Sequence, residues 1–249
     1  MWSGTWDVRH FDEIDSTNTY LRREARRDAA EGTVAVARHQ TAGRGRLDRR
    51  WEAPPGASLL LSVLFRPEFD RSELSLCTAA VALAAAKACR RVAGVDPVLK
   101  WPNDIVVGES KLAGVLAEVE FSGSDDPSRC AVVVGIGLNI DWPGPPGVGG
   151  TCLADLTASP VDRAALFDVL LEELSTRRAL LDSPAGRRAV AAEMRDHCAT
   201  LGRRVQVTLG GGTIVGVAEG IDDAGQLVVR TPTGPRMVSA GDVVHLRPA

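Results

Sequence analysis

From Gly202 onward the chain is a succession of short β-branched runs: Val205 to Thr208, Thr213 to Ile221, Leu227 to Thr231, Arg236 to Ser239 and Val243 to Arg247. Gly-Gly, Asp-Asp-Ala-Gly and Thr-Gly-Pro turns part them. Strands this short and this closely spaced leave no room for helices between them, so the segment fits a small SH3-like barrel. The residues before it have a different texture. Ser16 or Thr17 can cap a helix running to about Ala30, where Gly32 stops it, and Val34 to Arg38 reads as a strand. Leu59 to Phe65 is a continuous apolar run suited to a central strand, and the alanine-rich stretch Leu74 to Val92, closed by Gly94, reads as a buried helix. Two more helices are expected over Val161 to Leu181 and Pro184 to Ala199. The class is therefore α+β, with one mixed domain over residues 1–200 and the barrel over 201–249.

Between Gly43 and Trp51 the chain reads Gly-Arg-Gly-Arg-Leu-Asp-Arg-Arg-Trp, without an apolar period that would make it helix or strand. Glycines at 43 and 45 permit φ > 0 and close approach, and Arg44 and Arg46 offer planar forks of donors matched to carboxylate or phosphate. A solvated basic turn is the plainer reading of the same residues. Lys100-Trp101-Pro102-Asn103-Asp104 follows the short apolar run Val98 and Leu99, and Pro102 biases Trp101 toward an extended conformation. A lysine, an amide and a carboxylate thus leave a strand end in fixed directions. Lys111 to Glu120 reads as a strand with Lys111 at its start and Gly114 leaving room beside the backbone. Val132 to Ile140 is a β-rich run broken by Gly135 and Gly137 and ended by Asn139, as expected where something packs flat on a strand.

Asp15-Ser16-Thr17-Asn18, His39 to Arg46, Lys100 to Asp104, Lys111 to Leu116 and Gly135 to Asn139 together resemble, in order and approximate spacing, the motifs of the bacterial biotin protein ligases. The resemblance runs from about residue 10 to the C-terminus. It implies the class II synthetase-like fold of the biotin/lipoate ligases with a C-terminal SH3-like barrel. The family's arginine loop continues with glycine where Asp48 stands here, which leaves open how Arg49 and Arg50 share a triphosphate. A Gly- and Pro-rich loop, Asp141 to Gly150, resembles by position the family's second mobile loop, with Trp142 as a candidate adenine neighbour.

The resemblance also implies a reaction: biotin and ATP give biotinyl-5'-AMP and pyrophosphate, and biotin then passes to a lysine of a biotin carboxyl carrier protein. Bringing a carboxylate to a phosphate opposes two anions, and cations between them both bind and catalyse. The implied catalytic residues are Lys111, Arg46 and Asp104, the last to take the proton of the acceptor lysine. The implied biotin contacts are Ser16, Thr17, Asn18, Gln40, Gly43, Arg44, Gly45, Arg46, Lys111, Gly114, Leu116, Gly135 and Gly137. For ATP they are Arg44, Arg46, Arg49, Arg50, Trp51, Lys100, Asn103 and Asn139, with Mg²⁺ on the phosphates and no metal ligand of the protein's own. Taken singly, Ser16 and Thr17 read equally as helix caps, Asp104 as a turn residue and Lys111 as a surface lysine.

The net charge of −3 argues against a general nucleic-acid binder, and five phenylalanines with one tyrosine leave few stacking platforms for RNA. Five scattered cysteines without Cys-x-x-Cys spacing point to reduced thiols in the cytoplasm, and the four histidines show no zinc spacing. Met-Trp-Ser-Gly opens no apolar stretch of signal or membrane length. About fifteen residues precede the Asp-Ser-Thr-Asn motif, so the short form without a DNA-binding domain is expected, as monomer or homodimer. Lipoate or octanoate ligases and transferases share the fold and a catalytic lysine; Gln40 and the Gly-Arg-Gly-Arg context favour biotin. Gly-x-x-x-x-Gly-Lys-Ser/Thr is absent, so no P-loop holds the ATP.

Overall fold

The computed structural model describes residues 4–121, 130–209, 211–239 and 241–246. Gly210 of the Gly-Gly turn, the Met1 to Ser3 start and Arg247 lie outside them. In chain order the first sheet-forming unit comprises β1 (Asp7–Ile14), α1 (Thr17–Ala25), β2 (Thr33–Gln40), β3 (Ser58–Phe65), α2 (Ser75–Ala93), β4 (Val98–Lys100), β5 (Asp104–Val107), β6 (Ser110–Phe121) and β7 (Cys130–Asn139). Then come α3 (Leu153–Leu156), α4 (Arg163–Leu181) and α5 (Pro184–Asp196), followed by β8 (Arg204–Leu209), β9 (Gly212–Ile221), β10 (Leu227–Thr231), β11 (Gly234–Val238) and β12 (Asp242–His245).

The first seven strands form one sheet in the order β1-β2-β3-β7-β6-β5-β4. It is mixed, because β1 runs parallel to β2 while the other neighbours are antiparallel. The last five form an antiparallel sheet in the order β11-β10-β9-β8-β12.

Strands β3 and β7 are buried along their whole length, since both faces of the large sheet are covered. Val132, Val134, Ile136 and Leu138 face one way, into the core that α2 and α4 close. Ala131 and Val133 face the other way, against Leu21 and Ala25 of α1. Each large aliphatic side chain so covered stabilises the fold by roughly 1.5–3 kcal/mol. Beyond the end of α1 the same row continues as Gly135 and Gly137, and the change from valine to glycine opens the floor of a site. Opposite them on β6 stand Leu116 and Gly114, and opposite Val133 stands Glu118.

Local signals place the helices. Ser16 Oγ accepts from Thr19 N at the start of α1, Asp162 Oδ1 accepts from Ala164 N and Ala165 N at the start of α4, and Ser183 caps α5 ahead of Pro184. Gly94 ends α2 at φ 67°, a left-handed position that costs glycine little. Helix α1 is shorter than its sequence pattern predicts: it stops at Ala25, and Asp28 turns the chain at φ 60° before Gly32 is reached. Arg71–Ala93 is long and apolar enough by length and composition to cross a membrane, but 67% of its apolar window is buried inside the molecule, as in a core helix.

Charge fastens α1 to the sheet. Glu120 of β6 accepts from Arg26 Nε at 2.8 Å and from Arg22 Nε. Burial pushes the Glu120 carboxyl up, but the bonds from Arg26 and Arg22 outweigh it and hold its pKa below the ordinary 4.5. A lowered folded-state pKa gives stability that is present above the unfolded value and lost as pH falls through the folded one. Glu120→Gln is therefore expected to be less stable than the parent at pH 7, with the gap narrowing as pH drops below about 4.5. Urea unfolding midpoints at pH 7 and pH 3.5 measure this; a gap that stays constant would deny Glu120 its role.

Candidate active site

The arginine loop leaves β2 and returns beneath β6 and β7. Arg44 and Arg50 pair across it as an isolated antiparallel bridge, and Gly45 N donates to Arg49 O at 2.7 Å. The glycines do not adopt the positive φ that the sequence pattern predicts. Leu47 and Asp48 do, at φ 54° and 57°. Asp48 thus holds a left-handed position, a conformation that asparagine and aspartate tolerate better than other non-glycine residues. Gly43 is needed for closeness instead: a Cβ there would stand on the Trp51 carbonyl.

Two cavities share the wall made by Arg44, Trp51, Gly114 and Leu116. The smaller, about 30 Å³, is lined by Ser16, Thr17, Asn18, Gln40, Gly135 and Gly137, with Leu61 and Ile136. It is tight because the Trp51 indole lies across Gly137 and Gly114, and its buried Nε1 has no hydrogen-bond partner among the described residues. Polar groups around the small cavity are mutually bonded. Thr17 N donates to Gln40 Oε1 at 2.7 Å, Ser62 Oγ donates to Asn18 Oδ1 at 2.6 Å, and Asn18 Nδ2 donates to Leu116 O at 3.2 Å.

The larger cavity, about 340 Å³, takes Gly45, Arg46, Arg49, Arg50, Asn103, Asp104, Lys111 and Asn139 into its lining. The Lys111 ammonium stands 2.6 Å from Asp104 Oδ1 and 5.7 Å from the centre of the Trp51 ring. Its backbone is gripped on both sides by the Gly-rich loop, since Lys111 N donates to Gly149 O at 3.0 Å and Thr151 N to Lys111 O at 2.9 Å. That loop contributes Pro143, Gly144, Pro145, Val148 and Gly150 to the cavity, but not Trp142. Asn139 donates from Nδ2 to Thr151 O at 3.0 Å, and its buried Oδ1 has no partner among the described residues.

Arg46 differs from its neighbours. Arg44 is paired with Glu118 at 3.1 Å and Arg49 with Asp242 at 2.9 Å, whereas Arg46 donates to neutral acceptors, Asn103 Oδ1 at 2.8 Å and Gly241 O at 2.9 Å. Desolvation by burial dominates at its guanidinium and lowers its pKa despite the nearby Asp242 and Asp104. A partly desolvated cation with incomplete compensation is where an anionic ligand gains most.

Besides Trp142, two expected contacts line neither cavity. Gly43 supports Trp51 from behind, and Lys100 lies toward Glu109 and His245 instead. There burial, with Lys100 and Arg203 nearby, pushes the His245 imidazole below its ordinary pKa. The sequence reading also missed Glu52, Val115 and Asp242 in the large cavity. Asp242 matters most, because the chemistry-bearing motifs all lie before Ile140 while this carboxylate comes from the second sheet. Trp101 makes the same junction, donating from N to Thr200 Oγ1 at 3.0 Å and from Nε1 to Gly225 O at 3.1 Å.

Gly135→Ala is expected to raise the KM of the ligand in the small cavity about tenfold or more. Its Cβ would fall on Asn18 Oδ1 and force that amide from two or more hydrogen bonds, each worth roughly 1 kcal/mol. Kinetics with each substrate varied in turn, beside a melting curve, separate this from general overpacking; an unchanged KM in a destabilised protein would contradict it.

A mixed sheet carries a hydroxyl- and amide-lined cleft that opens beside an arginine-ringed cavity, an arrangement of polar groups suited to two small ligands side by side, one of them anionic. The chain belongs to the biotin/lipoate A/B protein ligase family, whose model matches residues 10–139, and residues 200–246 match the biotin protein ligase C-terminal domain. It is 38% identical over 242 residues to the biotin–[acetyl-CoA-carboxylase] ligase of Mycobacterium tuberculosis, covering 94% of this chain and 87% of that protein. The bifunctional ligase/repressor BirA of Bacillus subtilis is 29% identical, with 94% of this chain and 72% of that protein covered. Among solved structures, the biotin protein ligase of Aquifex aeolicus in complex with biotin and ATP superposes with a TM-score of 0.81 at 27% identity, covering 97% of this chain and 99% of that one.

Proposed function

We propose that this chain joins biotin to ATP, forming biotinyl-5'-AMP and pyrophosphate, and transfers biotin to a specific lysine of a biotin carboxyl carrier protein or domain. The observation that carries the reading is the adjacency of the two cavities, with Lys111 beside their shared wall. The small cleft, rich in fixed donors and acceptors, suits a ureido ring, and admission of that ring moves Trp51 off Gly137. The large cavity takes the nucleotide, with Arg46 and Asn103 toward the phosphates.

In adenylation the biotin carboxylate attacks the α-phosphorus and pyrophosphate leaves. Lys111, held by Asp104, offsets the charge of the two approaching anions and of the crowded transition state. In transfer the acceptor amine attacks the mixed anhydride and AMP leaves, and we assign to Asp104, one of three acidic groups in the lining, the uptake of the amine's proton. Mg²⁺ would come with the phosphates and neutralise part of their charge, and Asp104, Glu52 and Asp242 are the acidic groups in the lining that could hold it.

The same reading assigns residues 1–200 to ligand binding and 201–249 to an SH3-like barrel; five successive antiparallel strands support the second assignment. Five free, buried cysteines support a reducing, cytoplasmic setting. The test is ATP–pyrophosphate exchange dependent on biotin, with lipoate as control. Exchange with lipoate and not biotin would reverse the substrate assignment.

A further inference from the structure

Glu118 lines neither cavity, yet three side chains, two from α1 and one from the arginine loop, converge on its carboxylate. Oε1 accepts from Arg22 Nη1 of α1 at 2.9 Å and stands 3.1 Å from Arg44 Nη2 of the arginine loop. Oε2 accepts from Asn18 Nδ2 at 3.0 Å. The side chain is 15% exposed, so these contacts are shielded from solvent more than an ordinary surface pair.

A carboxylate only accepts, as does the Leu116 carbonyl, and together they settle which way the Asn18 amide lies. With its NH₂ on Glu118 and Leu116 O, Asn18 must turn its carbonyl toward Ser62 Oγ and the space above Gly135. The donor and acceptor pattern on that wall of the small cavity is thereby imposed in part from outside it, by Glu118. The same carboxylate holds the Arg44 guanidinium, which belongs to the wall common to both cavities.

We propose that Glu118 is a positioning residue that clamps Asn18 and Arg44 together, so that the biotin cleft and the nucleotide cavity are set by one group. This rests on the assignment of biotin and ATP to those cavities. It gives Arg44 a different duty from that of Arg46: an anchor neutralised by an internal acid, rather than a free cation offered to phosphate.

The test is Glu118→Gln, with KM for biotin, KM for ATP and kcat measured by pyrophosphate exchange, and with hydrogen exchange of residues 43–51 followed in protein without ligands. The substitution keeps the size of the side chain but removes its charge and weakens one of the two acceptors that hold the Asn18 NH₂. Both KM values are expected to rise, that for biotin about tenfold, while kcat at saturation stays within about threefold. Backbone exchange in the loop should quicken without comparable change in the strands of the second sheet.

Arg44→Gln, at a half-exposed side chain, supplies the second variant. Its effect on KM for ATP should largely vanish in the Glu118→Gln background, because the two residues act as a unit. Additive effects would overturn the proposal, as would a fall in melting temperature with both KM values unchanged, or a fall in kcat alone. A parent protein lacking biotin-dependent exchange would overturn the functional assignment instead, and unchanged loop exchange in Glu118→Gln would then still count against the clamp.

Discussion

Lys111→Ala is expected to stay folded and to lose on the order of a hundredfold in biotin-dependent pyrophosphate exchange, equivalent to about 3 kcal/mol of transition-state stabilisation. The side chain is 36% exposed and its removal opens no core cavity, so a melting curve close to the parent's is part of the expectation. The loss should fall on kcat more than on either KM, because the ammonium gains most when two anions meet. Arginine at this position restores charge but not shape, and is expected to recover little, since the Lys111 stem fits beside Gly114 and the Trp51 ring. Near-parental exchange by the alanine variant would remove Lys111 from catalysis and leave Arg46 as the principal cation.

Arg46→Gly should divide the two half-reactions in a different way. Its guanidinium ties Asn103 to Gly241 O, so glycine there cuts the loop from the asparagine of one motif and from the second sheet at a stroke. Adenylate formation is expected to persist within about tenfold, because Lys111 and Asp104 are untouched, whereas release of the reactive anhydride should rise by roughly a hundredfold as the loop loses its hold. Trapping with hydroxylamine measures the escape, and an added protein without the acceptor motif reports stray labelling of lysines. Firm retention of the adenylate by the variant would mean that Arg46 steers ATP and has no part in closure.

Much of this site was legible because its chemistry depends on residue types that are conspicuous where they stand. Gly135 and Gly137 interrupt a run of valines, and the interruption marks where Asn18 and the Trp51 ring lie close on the sheet. Lys111 begins a strand, as its position ahead of an alternating pattern predicts.

What escaped has a common cause. Strand β1 is an edge strand with half its face in water, so Asp7-Val8-Arg9-His10-Phe11-Asp12-Glu13-Ile14 shows too little apolar signal to announce itself. Glu118 and Asp242 sit among ordinary surface acids in sequence, and only the register across β6 and β7 or the docking of the second sheet reveals what they face. The left-handed pair Leu47 and Asp48 was hidden by the glycines beside it, which invite that conformation and are used for close packing instead.

The bonds from Arg46 to Gly241 and from Arg49 to Asp242 span 195 and 193 residues. At a ribosomal pace of about 5–20 residues per second, the loop therefore waits roughly 10–40 s between its own synthesis and that of its clasp. By about the middle of that interval the nascent chain contains the serine, glutamine, lysine and glycines that surround both cavities, but not the carbonyl and carboxylate that tether the arginines. Completion of the reaction chamber is thus a late event in the life of the polypeptide, and proteolytic clipping just before residue 241 would return a mature molecule to that unfinished condition.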